Sequence, residues 1–505
     1  MSKTHIDLYK WTSTQEYLQN EELSIDVQED NQNRLLYFTN LRSLRLHYSD
    51  YKLSNFPSYP FYFTNLLALT KLDNLNLRIF SKKGFNQTVL QSLTNLTSLE
   101  YYFYHSRNFP YITGLTKLRE LSLKFECNSY DKNDHISNLS NISYLTQLTS
   151  LRISRTQGKS INLDLFKNLT RLKELALDSF YTNININRFI LPPHLTSFEA
   201  NCGSFENIDN ISSLVKLEKL KLNAYIKSYH LKSLTNLSSL RELHLDFFAR
   251  GIDCKDIPNF PNLTSLELVS NNDRVKNLSY ISKFNNLVHL YCRNIQFNLK
   301  FLVKFTHLKS LDLYECALTE TNVLNKLHTL TILKIRDLTL SRKSLNIFNI
   351  NHVTALTNLV ELDLSGSVVH NLPEIFKLFN LKLLSLLGSD IKTSQEKCLS
   401  IKEDLKNKNV KVLYGLFTSF DEESKSEKIK TDIKLHYAPR ILIKVFSFVS
   451  LSLVLYYFTN LSGSKNNEQQ DFGNTNNYNI NNDQTQNFRE FCENVINKTL
   501  EHFKS

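Results

Sequence analysis

The sequence predicts an α/β solenoid: a horseshoe of stacked short repeats with one parallel sheet on its concave side, followed by a single carboxy-terminal transmembrane helix. Three observations lead there. A phrase of the form L-x-x-L-x-L returns along most of the 505 residues. Its last two leucines stand two apart, the period of a strand with one buried face. Finally, residues 441–461 form an apolar run of 21 residues broken only by Lys444, which is the length that spans a bilayer.

The repeats come first in the chain and carry the fold. Leu118-Leu121-Leu123, Leu172-Leu175-Leu177, Leu217-Leu220-Leu222, Leu308-Leu311-Leu313 and Leu359-Leu362-Leu364 are clean copies of the phrase. Its middle position falls at Leu44, Leu75, Leu99, Leu121, Leu151, Leu175, Phe198, Leu220, Leu243, Leu266, Leu290, Leu311, Leu333, Leu362 and Leu384. Most steps are 21 to 24 residues, and those ending at Leu75, Leu151 and Leu362 are 31, 30 and 29. A period of this size marks a stack in which each unit supplies one short strand, with longer steps absorbed as loops. Fifteen such strands about 4.8 Å apart make a parallel sheet of roughly 70 Å. A lead-in such as Leu93-Thr94-Asn95-Leu96-Thr97 precedes the strand, and its Asn and Thr are suited to pairing with nearby backbone. The return arms are short, which leaves room for turns and brief helices only.

These copies in register resemble the leucine-rich repeat family, in its 22-to-24-residue form, over about residues 35 to 390. The resemblance implies a horseshoe with a parallel concave sheet. It also implies an Asn three residues after each strand, and here the sequence departs from it. Asn271 and Cys316 fit that position, whereas Phe180, Tyr225, Phe248, Leu338 and Ser367 stand at others. The expected organisation is an N-terminal cap at 1–34, the solenoid at 35–397, a C-terminal cap at 398–420, a charged linker at 421–440, the transmembrane helix at 441–461 and an Asn/Gln-rich tail at 462–505.

Composition excludes more than it proposes. Ten glycines and nine prolines are few for this length and argue against a glycine-rich cofactor fold. No pair of the seven cysteines has C-x-x-C spacing, which disfavours a disulfide framework or a zinc site. Cys292 and Cys316 read as small buried apolar residues. The first twenty residues lack the apolar core of a signal peptide. Sixty basic residues against 49 acidic ones leave a formal charge of +11 without a dense basic cluster.

Function is expected on the strand positions that point away from the core. Their mixture of both signs with aromatics suits a protein surface; a nucleic-acid groove calls for one sign. Tyr291, Arg293, Tyr314, Lys334 and Arg336 form the expected contact face, because tyrosine and arginine dominate protein hot spots. His47, His244 and His289 are spread over distant repeats, and Asp312 and Asp363 stand two strands apart. No enzyme, cofactor or small-molecule substrate is therefore expected. The main functional expectation is a recognition or scaffolding module that binds a protein partner and is tethered to a lipid bilayer. The positive residues before 441 place the repeats in the cytoplasm in that reading. The alternatives are a cell-surface receptor or adhesin with extracellular repeats and a soluble regulatory subunit of a larger complex.

Overall fold

Each leucine phrase folds as a short strand entered through a turn, and the strands stack in sequence order. The computed structural model describes residues 5–7, 21–27, 32–49, 64–80, 88–104, 111–126, 139–155, 166–185, 191–206, 208–225, 227–247, 251–270, 275–337, 347–414 and 419–420. Among these, eighteen strands form one sheet that runs from His5–Asp7 to Lys411–Leu413, each strand pairing parallel with its successor. All fifteen middle positions of the phrase lie opposite one another, from Leu44 against Leu75 to Leu362 against Leu384. The longer steps leave this register intact. The ladder continues past both ends, with Leu23 opposite Leu44 and Val412 opposite Leu384.

The register follows from burial. All fifteen middle side chains have at most 2% of their surface exposed, and they belong to one apolar cluster that extends from Leu23 to Val410. A slip of one residue would turn each of these side chains outward, at about 1.5–3 kcal/mol apiece.

The lead-in turn does more than pair locally. Asn95, Asn262, Asn286, Asn358 and Asn380 each donate a side-chain N–H to a carbonyl of the preceding repeat at 2.7–2.9 Å. The hydroxyls of Thr97, Thr149, Thr196, Thr264 and Thr331 reach back in the same way at 3.1–3.2 Å. Two polar ladders thus run along the edge where the chain enters the sheet. Further along the turn, the expected Asn ladder is replaced by other donors. Cys316 Sγ, Ser367 Oγ and Ser389 Oγ donate to carbonyls of Cys292, Ile335 and Leu364. The donor role persists while the residue type changes.

The return arms carry 3-10 turns such as Leu278–Lys283, Leu299–Lys304 and Leu372–Lys377. They also carry strands the sequence did not announce. Gln296–Asn298 pairs with Ala317–Thr319, and Ile347–Asn349, Val368–His370, Asp390–Ile391 and Ser419–Phe420 form a second parallel ladder. One apolar residue, as in Phe297, Phe348 and Val369, anchors each of three of these pieces in the core. After the last full repeats the helix Gln395–Asn407 begins at Ser394, whose hydroxyl accepts from the Lys397 N–H, and buries Cys398, Ile401 and Leu405.

One part of the expected fold class is corrected. Among the described residues no helix is long and apolar enough to cross a membrane. The helix Gln395–Asn407 has 13 residues, about 20 Å of rise against a hydrocarbon core of roughly 30 Å. The segment 441–461 lies outside the described residues, as do the linker and the tail. The chain divides into two units, Met1–Lys425 and Ser426–Ser505, and the second falls wholly outside them. Over the described residues the fold is therefore the parallel-sheet solenoid, with no membrane-crossing helix among them. The tethered function, the lipid-bilayer partner and the single-pass membrane localisation rested on that helix and do not stand.

Candidate functional site

The side of the sheet turned away from the leucine core is built from three columns of side chains, because outward positions alternate with inward ones along each strand. Strands His289–Arg293, Ser310–Tyr314 and Ile332–Arg336 are successive neighbours. Their register puts Tyr291, Asp312 and Lys334 in one column and Arg293, Tyr314 and Arg336 in the next. The five residues expected from the sequence are thereby brought together on three adjacent strands.

Their chemistry is more self-contained than the residue types suggest. The Arg293 guanidinium carbon lies 5.0 Å from the centre of the Tyr314 ring, and that of Arg336 lies 5.2 Å from it. Tyr314 is thus held between two cations, each attracted to its π-face by about 0.5–1 kcal/mol at such half-exposed sites. Every cation of the cluster also has a carboxylate. Arg293 Nη2 is 3.4 Å from Glu315, Lys334 Nζ is 2.7 Å from Glu361, and Arg336 Nη2 donates to both Asp312 oxygens at 2.7 and 2.8 Å. Glu315 takes up its place in the turn with φ of 54°, a left-handed conformation in which non-glycine residues are uncommon. Burial pushes the Tyr291 hydroxyl up to about 12. Burial, followed by the Glu315 carboxylate, raises that of Tyr314. Both phenols stay protonated at neutral pH, and that of Tyr314 is hydrogen-bonded to the Glu315 carboxylate. Burial also holds the Asp312 carboxyl above its usual range, with Arg336 pulling the other way.

Toward the amino-terminal side the face changes character. Glu199 takes an ion pair from Lys221 at 3.1 Å and one from Arg152 at 3.5 Å. Burial alone would raise its carboxyl, but the two cations together bring it below the ordinary value. For Asp178 and Asp246 burial leads and raises both, although Lys124, Arg152 and Lys221 pull the first down and His244, Arg293 and Lys221 the second. They end a column of four on adjacent strands, Asp178, Asn201, Asn223 and Asp246. In each of these four residues, Oδ1 is buried without a hydrogen-bond partner. Reading by residue type singled out neither Glu199 nor the Asn201–Asn223 pair. Counting one or three positions on from each middle residue, Phe198 included, would have found them.

Asp312, Glu315 and Glu361 are engaged in ion pairs, Asp363 accepts from the backbone N–H and hydroxyl of Ser365, and Lys334 stands between Asp312 and Asp363 in the register. Among the described residues no group of three or more His, Cys, Asp or Glu is placed to hold a metal ion. Cys292 and Cys316 are buried at 0% and 2% exposure, and burial raises the Cys292 thiol well above its ordinary range, away from nucleophilic use.

No family model matches the sequence, and no curated protein matches it. Among solved structures the chain is similar to an internalin from Listeria monocytogenes, at 20% identity over 66% of this chain and 84% of that one, with a TM-score of 0.41. It is similar to a leucine-rich-repeat protein of Leptospira interrogans at 18% identity, over 78% and 89% of the two chains, with a TM-score of 0.40. The InlJ functional domain from Listeria monocytogenes, whose structure includes a cysteine ladder, shares 16% identity over 65% and 66%, with a TM-score of 0.34. The fold assignment rests on the strand registers and the repeated leucine phrase. On those grounds this chain is a leucine-rich-repeat-type solenoid with a continuous parallel β-sheet.

Proposed function

We propose that the open face of the sheet, the concave side of the solenoid, binds a protein partner, with Tyr291, Arg293, Tyr314, Lys334 and Arg336 as its contact ridge. The observation that carries this reading is the clamped tyrosine. Tyr314 between Arg293 and Arg336 is an aromatic side chain fixed before any partner arrives, so little rotamer entropy remains to be lost on binding. Tyr291 lies on the neighbouring strand, half-buried with its hydroxyl protonated. Both rings offer apolar area with a polar tip, the combination found at the centre of protein interfaces. The ion pairs set the orientation of the ridge rather than its affinity, because each cation already has a carboxylate within the chain.

The test is affinity capture on the full chain, with the wild type beside a Tyr291→Ala/Tyr314→Ala variant and an Arg293→Glu/Lys334→Glu/Arg336→Glu variant. Loss of the same captured protein from both variants, with the tyrosine variant melting within a few degrees of the wild type, is the expected result. Capture that survives the tyrosine substitutions would move the interface to another surface of the repeats. The tyrosine variant decides, because reversing three paired cations also strands Asp312, Glu315 and Glu361.

A further inference from the structure

The open face holds charges of both signs, and they are sorted along the stack. In the strands Ser43–Ser49, Asn74–Phe80 and Glu120–Glu126, Arg45, Arg78 and Lys124 point outward and are exposed. None of the three makes an ion pair with a described carboxylate. Lys124 instead lies 4.8 Å from the Tyr102 ring centre. Of the nearby carboxylates, Glu100 shares the Arg45 column two strands on and is bonded to the Asn76 amide, and Glu120 accepts from Ser98 at 3.2 Å. Lys124 leads through Ser154 to Asp178 in the same column, and there the sign reverses. Asp178, Asn201, Asn223 and Asp246 offer oxygens, and neither aspartate has a cation in ion-pair contact. The third zone begins at Arg293, where every cation is matched within the chain. A chain of net charge +11 thus keeps two unmatched aspartates in the middle of its sheet and its unmatched concave cations toward the amino-terminal end.

We infer that the partner lies along the stack in one direction, with an acidic segment over Arg45, Arg78 and Lys124 and a basic segment over Asp178 to Asp246. This rests on the reading of the open face as the protein-binding one and adds the chemistry and orientation of what binds. The geometry sets the lengths. From the Arg45 strand to the Lys124 strand is three steps, about 14 Å, and from Lys124 to Asp178 is two, about 10 Å. Asp178 to Asp246 is three steps, about 14 Å. At about 3.3 Å per extended residue, these spans correspond to an acidic block of four or five residues, a spacer of about three and a basic block of four or five. The basic block gains most, since an incoming ammonium supplies the direct ion pair that the half-buried aspartates do not make with the cations around them.

The probe is a fluorescein-labelled peptide of four glutamates, three glycines and five lysines, beside a peptide of the same composition with the charges alternating. Binding to the full chain is read by anisotropy. The block peptide is expected to bind about tenfold more tightly than the alternating one. Asp178→Asn/Asp246→Asn and Arg78→Gln/Lys124→Gln should each remove most of that advantage without lowering the melting temperature. The first pair is gentle, because asparagine already occupies the two central places of the column. Equal binding of the two peptides, or a block peptide indifferent to both pairs of substitutions, overturns the inference. If the peptides bind equally while Tyr291→Ala/Tyr314→Ala still abolishes capture of a partner, the recognition reading stands and the orientation falls. If the block peptide behaves as expected while capture survives the tyrosine variant, the orientation stands and the ridge falls.

Discussion

Asp178 and Glu199 sit on neighbouring strands of the open face and are pushed in opposite directions. Burial, with help from Glu199, holds the Asp178 carboxyl above its ordinary 3.8. A raised folded value means that its favourable contribution is complete below about 3.8 and disappears as pH rises through the folded value. At neutral pH, Asp178 therefore opposes folding. For Glu199, Lys221 and Arg152 outweigh burial and bring the carboxyl below its ordinary 4.5, so its contribution is present above 4.5 and disappears as pH falls through the lowered value. The expected result is that Asp178→Asn raises the urea midpoint at pH 7 and leaves it unchanged at pH 3. Glu199→Gln should lower the midpoint at pH 7, by an amount that shrinks on acidification. Urea titrations of the three proteins at both pH values check the signs. At this scale the sequence was legible for residue types and blind to their pairing. Arg293, Lys334 and Arg336 were recognisable as outward cations. Their saturation by Glu315, Glu361 and Asp312 depends on side chains 22 to 27 residues away, which only the strand register brings alongside.

Among the elements, the strands were the most legible, because Leu220-Lys221-Leu222 and its copies bury every second residue. The lead-in turns were half legible. Their Asn and Thr were expected to bond close by in the chain, and the bonds instead reach back one repeat. Asn262→Ala removes the donor to the Ser238 carbonyl at 2.8 Å and should cost about 1 kcal/mol. Leu263→Ala, one residue on at a side chain with 0% exposure, should cost about 2–5 kcal/mol. Equilibrium urea unfolding of both separates the ladder's share from that of the core. The second parallel ladder, such as Ile347–Asn349 against Val368–His370, could not be read from the chain. Its pieces are three residues or fewer, too short for periodicity to register, and they pair because the main sheet already spaces their backbones at strand distance. The helix Gln395–Asn407 is proposed as the cap of the last repeats, since Cys398, Ile401 and Leu405 close an otherwise open apolar edge. Leu405→Asp should therefore promote self-association, visible by light scattering, before it abolishes the circular dichroism of the sheet.

For the whole molecule, the continuous core from Leu23 to Val410 makes stability a sum over neighbours. Deleting residues 290–310 in frame removes one 21-residue step and brings Leu266 beside Leu311. The shortened chain should keep its circular dichroism per residue and its melting temperature to within a few degrees, and it should lose Tyr291 and Arg293 from the face. Collapse to an unfolded baseline would contradict nearest-neighbour stacking. The apolar run at 441–461 was the strongest sequence signal outside the repeats, yet among the described residues no helix is long and apolar enough to cross a membrane. What the sequence by itself determined is the fold and its register: the leucines recur at one spacing, apolar surface must leave water, and one stacking satisfies all of them. What only the tertiary structure decided is which charges on the open face remain free. Arg78 and Arg336 are indistinguishable as letters, but Arg336 pairs with Asp312 on the neighbouring strand, whereas Arg78 makes no ion pair with a described carboxylate. Coulomb attraction falls off over a few ångströms, so that difference exists only once the strands are side by side.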